Sequence, residues 1–193
     1  MTPLLTGVFA SQISGHLTPS YTLTGNYDAL GTVTVPIGGL SSITFAGIPQ
    51  TGYSHLQIRG IGRTGRASIE DNLRVTFNSD TGSNYSWHNL AGYGSGVEAN
   101  GFATQTGMNL GWITAASAGA SIFGTALIDV LDYVNTSKYK TSRSLTGYDT
   151  NGGGQILFAS GSWRNTAAIN SVTITPVFST FNQYSQFALY GVK

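Results

Sequence analysis

The chain has 193 residues, of which only 9% are charged, against about 25% in a typical soluble protein, and its net charge is +1. This balance argues against a clustered basic face for nucleic acid, and the absence of cysteine excludes disulfides and thiolate metal sites. No run approaches the roughly 20 apolar residues of a membrane span, so we expect one soluble domain, made in a cytoplasm and stabilised by packing and association.

Residues 1–28 differ from the rest of the chain. Residues 1–17 alternate small apolar and polar side chains without the basic start of a secretory signal, and residues 20–28 are rich in turn formers. We interpret 1–28 as an arm that becomes ordered on a partner; an edge strand of the main domain is the alternative. The apolar side chains available for that contact are Leu4, Leu5, Val8, Phe9, Ile13 and Leu17.

Residues 29–193 read as short strands separated by Gly, Asn, Asp and Ser. No window has the 3.6-residue apolar period of a packed helix, so helices are limited to single turns near 66–71 and 164–168. The pattern predicts an all-β, antiparallel β-sandwich, and a jelly roll fits it best. The eleven predicted strands are 30–36, 42–46, 55–63, 72–78, 84–91, 108–114, 121–134, 139–148, 155–160, 170–176 and 183–192.

The strongest predicted strand, 121–134, is apolar on both faces but carries one carboxylate on each, at Asp129 and Asp132. Buried carboxylates need partners, and the next strand offers three cations after a turn at 135–137. These are Lys138, Lys140 and Arg143.

The candidate cofactor-binding motifs lack the neighbouring structure or ligands that they require. Residues 60–65 have the G-x-G-x-x-G spacing, but a strand begins by Leu73 and leaves no room for the helix that binds a pyrophosphate, so we read a bulge and bend. His16, His55 and His88 have no second ligand at i+2 or i+4. We therefore expect no metal and no cofactor.

Catalytic motifs are equally weak. Ser95 sits one position too late for a nucleophile elbow, and the loops 80–84 and 149–153 read as Asx turns more readily than as calcium sites. We assign no catalytic residue and expect no enzyme; paired carboxylates for glycan hydrolysis remain the open alternative.

Several segments together resemble a group of phage and metagenome-derived virion proteins. They are TGVFASQISGHL at 6–17, HLQIRG at 55–60, NSDTGSNY at 78–85, IDVLDY at 128–133 with KYKT at 138–141, and QYSQFALYG at 183–191. The resemblance implies a structural place in a tailed-phage particle and supplies no catalytic residue.

This resemblance leads to two functional hypotheses. The first is a capsid decoration protein on the outer surface of the virion, expected to be a homotrimer, whose arm binds the major capsid protein or another virion protein. The second is a receptor-binding tail-fibre tip or carbohydrate-binding module. Its glycan or interface aromatics would be Trp87, Tyr93, Trp112 and Trp163.

Overall fold

The fold is taken from a computed structural model that describes residues 26–193. The arm residues Leu4, Leu5, Val8, Phe9, Ile13 and Leu17 lie outside this range, and so does His16. Within it, no helix has the length and apolar character needed to cross a membrane.

Twelve antiparallel strands make up the described chain, which confirms the all-β prediction. No helix is present in 26–193, which agrees with the expectation of at most single helical turns near 66–71 and 164–168; Glu70 and Asp71 of the first segment instead pair with a neighbouring strand. The strands are β1 Tyr27–Thr34, β2 Ile43–Ala46, β3 His55–Gly62, β4 Glu70–Phe77, β5 Tyr85–Tyr93, β6 Gly96–Gln105, β7 Met108–Thr114, β8 Gly124–Leu131, β9 Lys140–Asp149, β10 Gly154–Trp163, β11 Ser171–Pro176 and β12 Gln186–Val192.

The strands form two sheets, which confirms the predicted sandwich. The large sheet has the order β1-β12-β3-β8-β9-β10-β5-β6, and the small sheet has the order β2-β11-β4-β7. Because β1 begins at Tyr27 and pairs with β12, the arm boundary predicted at residue 28 falls two residues inside the sheet.

The core lies between the two sheets and follows from the alternation of side chains along each strand. In β4 every second residue is buried, and Leu73, Val75 and Phe77 are fully covered; Ile128 and Val130 of β8 are buried in the same way. Each fully buried side chain of this kind contributes roughly 1.5–3 kcal/mol.

The polar inner face of β9 supports the free edge of β7. Ser144 Oγ donates a hydrogen bond to the Leu110 carbonyl, and the Trp112 amide donates to Thr146 Oγ1 at 3.1 Å. These contacts pair backbone groups of a strand at the edge of its sheet, so buried Ser and Thr here replace the apolar residues expected of an inner face.

The long strand predicted at 121–134 is shorter, because Asp132 adopts a positive φ of 48° just after β8 ends. Arg143 Nε contacts Asp129 Oδ2 at 3.0 Å, and Lys138 pairs with Asp132. Lys140 was also expected to pair with a carboxylate, but it is buried and its ammonium donates to backbone carbonyls.

Two hairpins widen the large sheet beyond the small one. β4 and β7 are direct partners in the small sheet, yet β5 and β6 lie between them in sequence and join the large sheet. β9 and β10 likewise join the large sheet between β8 and β11. The β5–β6 hairpin forms the outer edge of the large sheet, where the candidate site lies.

Candidate functional site

A groove of about 570 Å³ runs between the β5–β6 hairpin and the outer side of β4 and β7. Its volume falls in the range of roughly 300–1,000 Å³ that is usual for small-molecule sites. The lining combines aromatic rings with side-chain amides, and it carries few charges.

One wall of the groove is the inner face of the hairpin. Trp87 of β5 and Phe102 of β6 are cross-strand partners, and their rings stack with centroids 4.2 Å apart and planes 28° apart. Such aromatic pairs stabilise a hairpin by about 0.5–1.5 kcal/mol beyond the area they bury. The pair therefore fixes a flat aromatic surface on the concave side of the sheet edge.

The turn of the hairpin positions a third aromatic ring. Gly94 and Ser95 connect the strands, and the positive φ of 59° at Gly94 is typical of a type II′ turn. The ring of Tyr93 lies over Gly96, where an added Cβ would come within 2.4 Å of it. Glycine at this position thus allows Tyr93, which is 43% exposed, to lie along the groove.

The opposite wall depends on a β-bulge. Asn72 of β4 pairs with Trp112 of β7, and the register then shifts so that Arg74 pairs with Asn109. The extra residue places Asn109 and Trp112, three positions apart, on the same side of the strand. Both therefore line the groove beside Asn72.

The groove contains two buried polar atoms without hydrogen-bond partners in residues 26–193. They are Nε1 of Trp87, a donor, and Oδ1 of Asn109, an acceptor. Asn89 is satisfied, since its Oδ1 accepts from the amide of Asn100 at 3.1 Å. Buried polar groups are nearly always paired, so these two atoms are exceptions, and because both are shielded from solvent they lie behind the surface of the groove.

A small charged network closes one end of the groove. The Arg66 guanidinium lies 4.0 Å from the centroid of the Phe178 ring and donates to the Glu70 carbonyl at 3.1 Å. The Glu70 carboxylate accepts from Gln155 Nε2 and from the Tyr148 hydroxyl at 2.7 Å. Burial and the bond to this carboxylate together raise the pKa of Tyr148, so its hydroxyl remains a donor.

The structure brings together three of the four aromatics predicted for a glycan or interface site: Trp87, Tyr93 and Trp112. Trp163 does not join them. It is 1% exposed, packs against Phe77 in the core, and donates from Nε1 to Asp80 Oδ2 at 2.7 Å.

Sequence reasoning missed the contribution of β6, which supplies Glu98, Asn100 and Phe102. The segment is rich in Gly, Ala and Asn and has few β-branched residues, so no strand was predicted there. The signal that would have found it is the Gly94-Ser95 turn followed by a stretch as long as β5.

No cluster of three or more metal-ligating side chains occurs in residues 26–193. In the loop 80–84, Asp80 Oδ1 accepts from the Gly82 amide and Oδ2 from Asn84, as in an Asx turn. In the loop 149–153, Asp149 Oδ1 accepts from the Asn151 amide. Each carboxylate accepts a hydrogen bond from within its own loop, and Asp80 Oδ2 also accepts from Trp163 Nε1.

No protein-family model, curated protein or solved structure matches this chain. The geometry of the groove is therefore the basis for a function.

Proposed function

We propose that the chain is a carbohydrate-binding protein that holds an oligosaccharide in the groove between the β5–β6 hairpin and β7. The observation that carries the proposal is the lining itself, where partly exposed aromatic rings lie beside side-chain amides. Sugars present apolar C–H faces and a rim of hydroxyls, and this lining complements both.

Each kind of residue has a distinct role in such a complex. Trp112 and Tyr93 offer partly exposed rings against which a sugar face stacks. Asn72, Asn100 and Gln155 offer donors and acceptors for the hydroxyls. A sugar hydroxyl both donates and accepts, so it can bond to either end of a side-chain amide.

The charges favour a neutral glycan. Glu70 and Glu98 both line the groove, and the single cation Arg66 is already stacked on Phe178. A carboxylated or sulfated sugar would meet two like charges and one engaged cation. Like charges across an interface oppose binding, so neutral hexose and N-acetylhexosamine units are the expected ligands.

A glycan array probed with the full chain tests the proposal. We expect binding to a restricted set of neutral glycans, and Trp112→Ala should weaken it at least about tenfold, as for a ring at the centre of a binding site. Tyr93→Ala gives the same test at a more exposed position. The matched control is Tyr139→Ala, which removes an exposed ring outside the groove. Binding to no glycan, or equal binding by all variants, would contradict the proposal.

The same experiment bears on catalysis. Two carboxylates share the groove, as they do in glycan hydrolases, although the sequence predicts no enzyme. A bound oligosaccharide recovered at full length after prolonged incubation supports a binding role. Shortened products that disappear in Glu98→Gln would assign hydrolysis to the groove instead.

A location on a phage particle remains part of the proposal. A receptor-binding fibre tip would use the groove directly, whereas the capsid-decoration role expected from the sequence depends on residues 1–28, almost all outside the described range. Locating the chain in intact particles by electron microscopy distinguishes the two.

We also propose the jelly roll as the finer description of the sandwich. With the hairpins β5–β6 and β9–β10 set aside, four strands remain in each sheet, in the orders β1-β12-β3-β8 and β2-β11-β4-β7. Successive strands of the first four alternate between the sheets, as expected for two interlocked Greek keys. In this description the groove is built on an insertion, consistent with function residing in sites added to a fold.

A further inference from the structure

We propose that the outer face of the large sheet is a docking surface for a second copy of this chain. This surface is independent of the groove, since it lies on the opposite side of β5 and β6. It would join two copies back to back around a twofold axis.

The first observation is a continuous apolar row across five neighbouring strands. Each residue is the direct cross-strand partner of the next, from β8 through β9, β10 and β5 to β6. The row consists of Leu127, Leu145, Phe158, Leu90 and Ala99. Phe158 and Leu90 are more than half exposed, at 53% and 51%.

A second row beside it has a shape that is complementary to a second copy of itself. Ile156, 48% exposed, is flanked on its two neighbouring strands by Gly147 and Gly92. Gly147 has no room for a side chain, because a Cβ there would come within 2.7 Å of the Gln155 carbonyl oxygen. A protruding side chain between two hollows is a shape that an identical surface, turned over, fits.

On β9, and at one position of β5, the polarity is inverted relative to a sheet that faces water. On β9 the inner residues are Ser142, Ser144 and Thr146 while Leu145 faces outward, and on β5 the inner Asn89 adjoins the outward Leu90. An antiparallel sheet with one solvated face normally has the opposite arrangement. Outward apolar residues are therefore consistent with a face that is covered in the working assembly.

Area and charge identify a second copy as the partner. Eight strands spaced about 4.8 Å apart and about 25 Å long give a whole outer face of roughly 850 Å², close to the roughly 800 Å² that each partner contributes to a standard interface, so a second copy would cover the apolar rows together with the outer face of β1, β12 and β3. The first row is bordered by Arg59 of β3, the cross-strand partner of Leu127, and by Asp129, Arg143 and His88. Arg143 pairs with Asp129, and the Arg59 guanidinium lies over the rings of Tyr27 and Tyr190, so the border carries both signs and does not strongly repel an identical border.

One flat patch pairs with one copy of itself, so the geometry points to a dimer where the sequence predicts a homotrimer. In this dimer the two large sheets would pack face to face about 10 Å apart, with their strand directions rotated by about 30°.

Sedimentation and light scattering of the full chain test the assembly. We expect a dimer at about 10 µM, and Phe158→Glu or Leu90→Glu should raise the dimer dissociation constant at least about a hundredfold, because each buries a charge at the centre of the interface. The control Ile37→Glu alters an 83% exposed residue off this face and should remain dimeric. Circular dichroism identical to that of the unaltered chain shows that a variant is folded.

Cross-linking gives a second measurement that does not depend on a disruptive variant. The chain has no cysteine, so Leu145→Cys or Phe158→Cys supplies the only thiol, and a bismaleimide that bridges about 10 Å should join two copies. Ile37→Cys should not cross-link. A chain that is monomeric or trimeric at about 100 µM, or cross-linking no faster than that of Ile37→Cys, would overturn the proposal and would mean that another segment or another protein covers the face.

Discussion

Asp71 is a fully buried carboxylate, and its burial makes the stability of the fold depend on pH. Its Oδ1 accepts from the amides of Asn72 and Phe178, at 2.8 and 3.2 Å. Thr64 lies near it without the geometry of a hydrogen bond. Burial outweighs these polar contacts and raises the pKa of Asp71 above its usual value of 3.8.

The sign of the pH dependence follows from that shift. The folded state holds the proton more tightly than the unfolded state, so this contribution favours folding below pH 3.8 and is lost as the pH rises through the raised value. Asp71→Asn keeps an acceptor oxygen and removes the charge. We expect its melting temperature, relative to the unaltered chain, to increase from pH 3.5 to pH 7 by at least about 2 °C, measured by circular dichroism.

The control for this prediction is Asp149→Asn, an exposed turn residue whose replacement also retains an acceptor. Its melting temperature gives the effect of the same chemical change at the surface of the protein. A melting temperature of Asp71→Asn that falls below that of the unaltered chain at pH 7 would mean that the ionised carboxylate stabilises the fold.

At the scale of residues, sequence reasoning identified Trp87, Tyr93 and Trp112 by their chemistry but did not separate them from Trp163. The four were selected by residue type and proximity to loops, and neither criterion measures burial. Trp163 lies three residues past the β10 stretch predicted from sequence, and the ladder extends through it, which places its ring in the core. The orphaned atoms Trp87 Nε1 and Asn109 Oδ1 have no sequence signature at all, because they depend on a tertiary contact.

At the scale of elements, the support that β9 gives to β7 can be tested by one nearly isosteric change. Thr146→Val keeps the shape of a side chain that packs over Gly111 but removes the acceptor for the Trp112 amide. Leaving that partly buried N–H unpaired should reduce the free energy of unfolding by about 1–3 kcal/mol in urea titrations. Because Trp112 lines the groove, glycan affinity should fall as well.

Thr141→Val is the matched control, since it lies on the same strand with its side chain exposed. Equal stability of the two variants would mean that β7 does not depend on β9 for its edge hydrogen bonds.

The elements themselves were mostly predictable, because β-branched and aromatic runs bounded by turn residues mark ten of the twelve strands with small boundary errors. Two misjudgements have physical causes. β6 was missed because it lacks an apolar stripe. Its side chains on one face line the groove, and its residues on the outer face are small. The strand predicted at 121–134 extends past the end of β8 at Leu131, because the sequence around Asp132 does not indicate its positive φ.

At the scale of the whole molecule, the two proposals together predict bivalent binding. In a back-to-back dimer the two grooves face in opposite directions, away from the interface, so one dimer can bridge glycans on two separate surfaces. We expect the unaltered chain to agglutinate glycan-coated beads and Phe158→Glu to leave them dispersed, because only the dimer carries two grooves.

Both forms should bind a single soluble oligosaccharide equally, as measured by calorimetry, since Phe158 lies outside the groove. A loss of soluble binding in Phe158→Glu would show that the groove and the outer face are coupled. Equal agglutination of the beads by both forms would show that bridging does not depend on the dimer.

The position of the β5–β6 hairpin in the chain has a consequence for how this protein diversifies. The chain leaves the small sheet after Phe77 and returns at Met108, which pairs with Val75, so the two ends of the insertion lie side by side. Lengthening a connection between adjacent ends costs only about 0.6 kcal/mol for each doubling. A lineage that exchanges this hairpin therefore changes one wall of the groove while the strand pairing of the small sheet remains as it is.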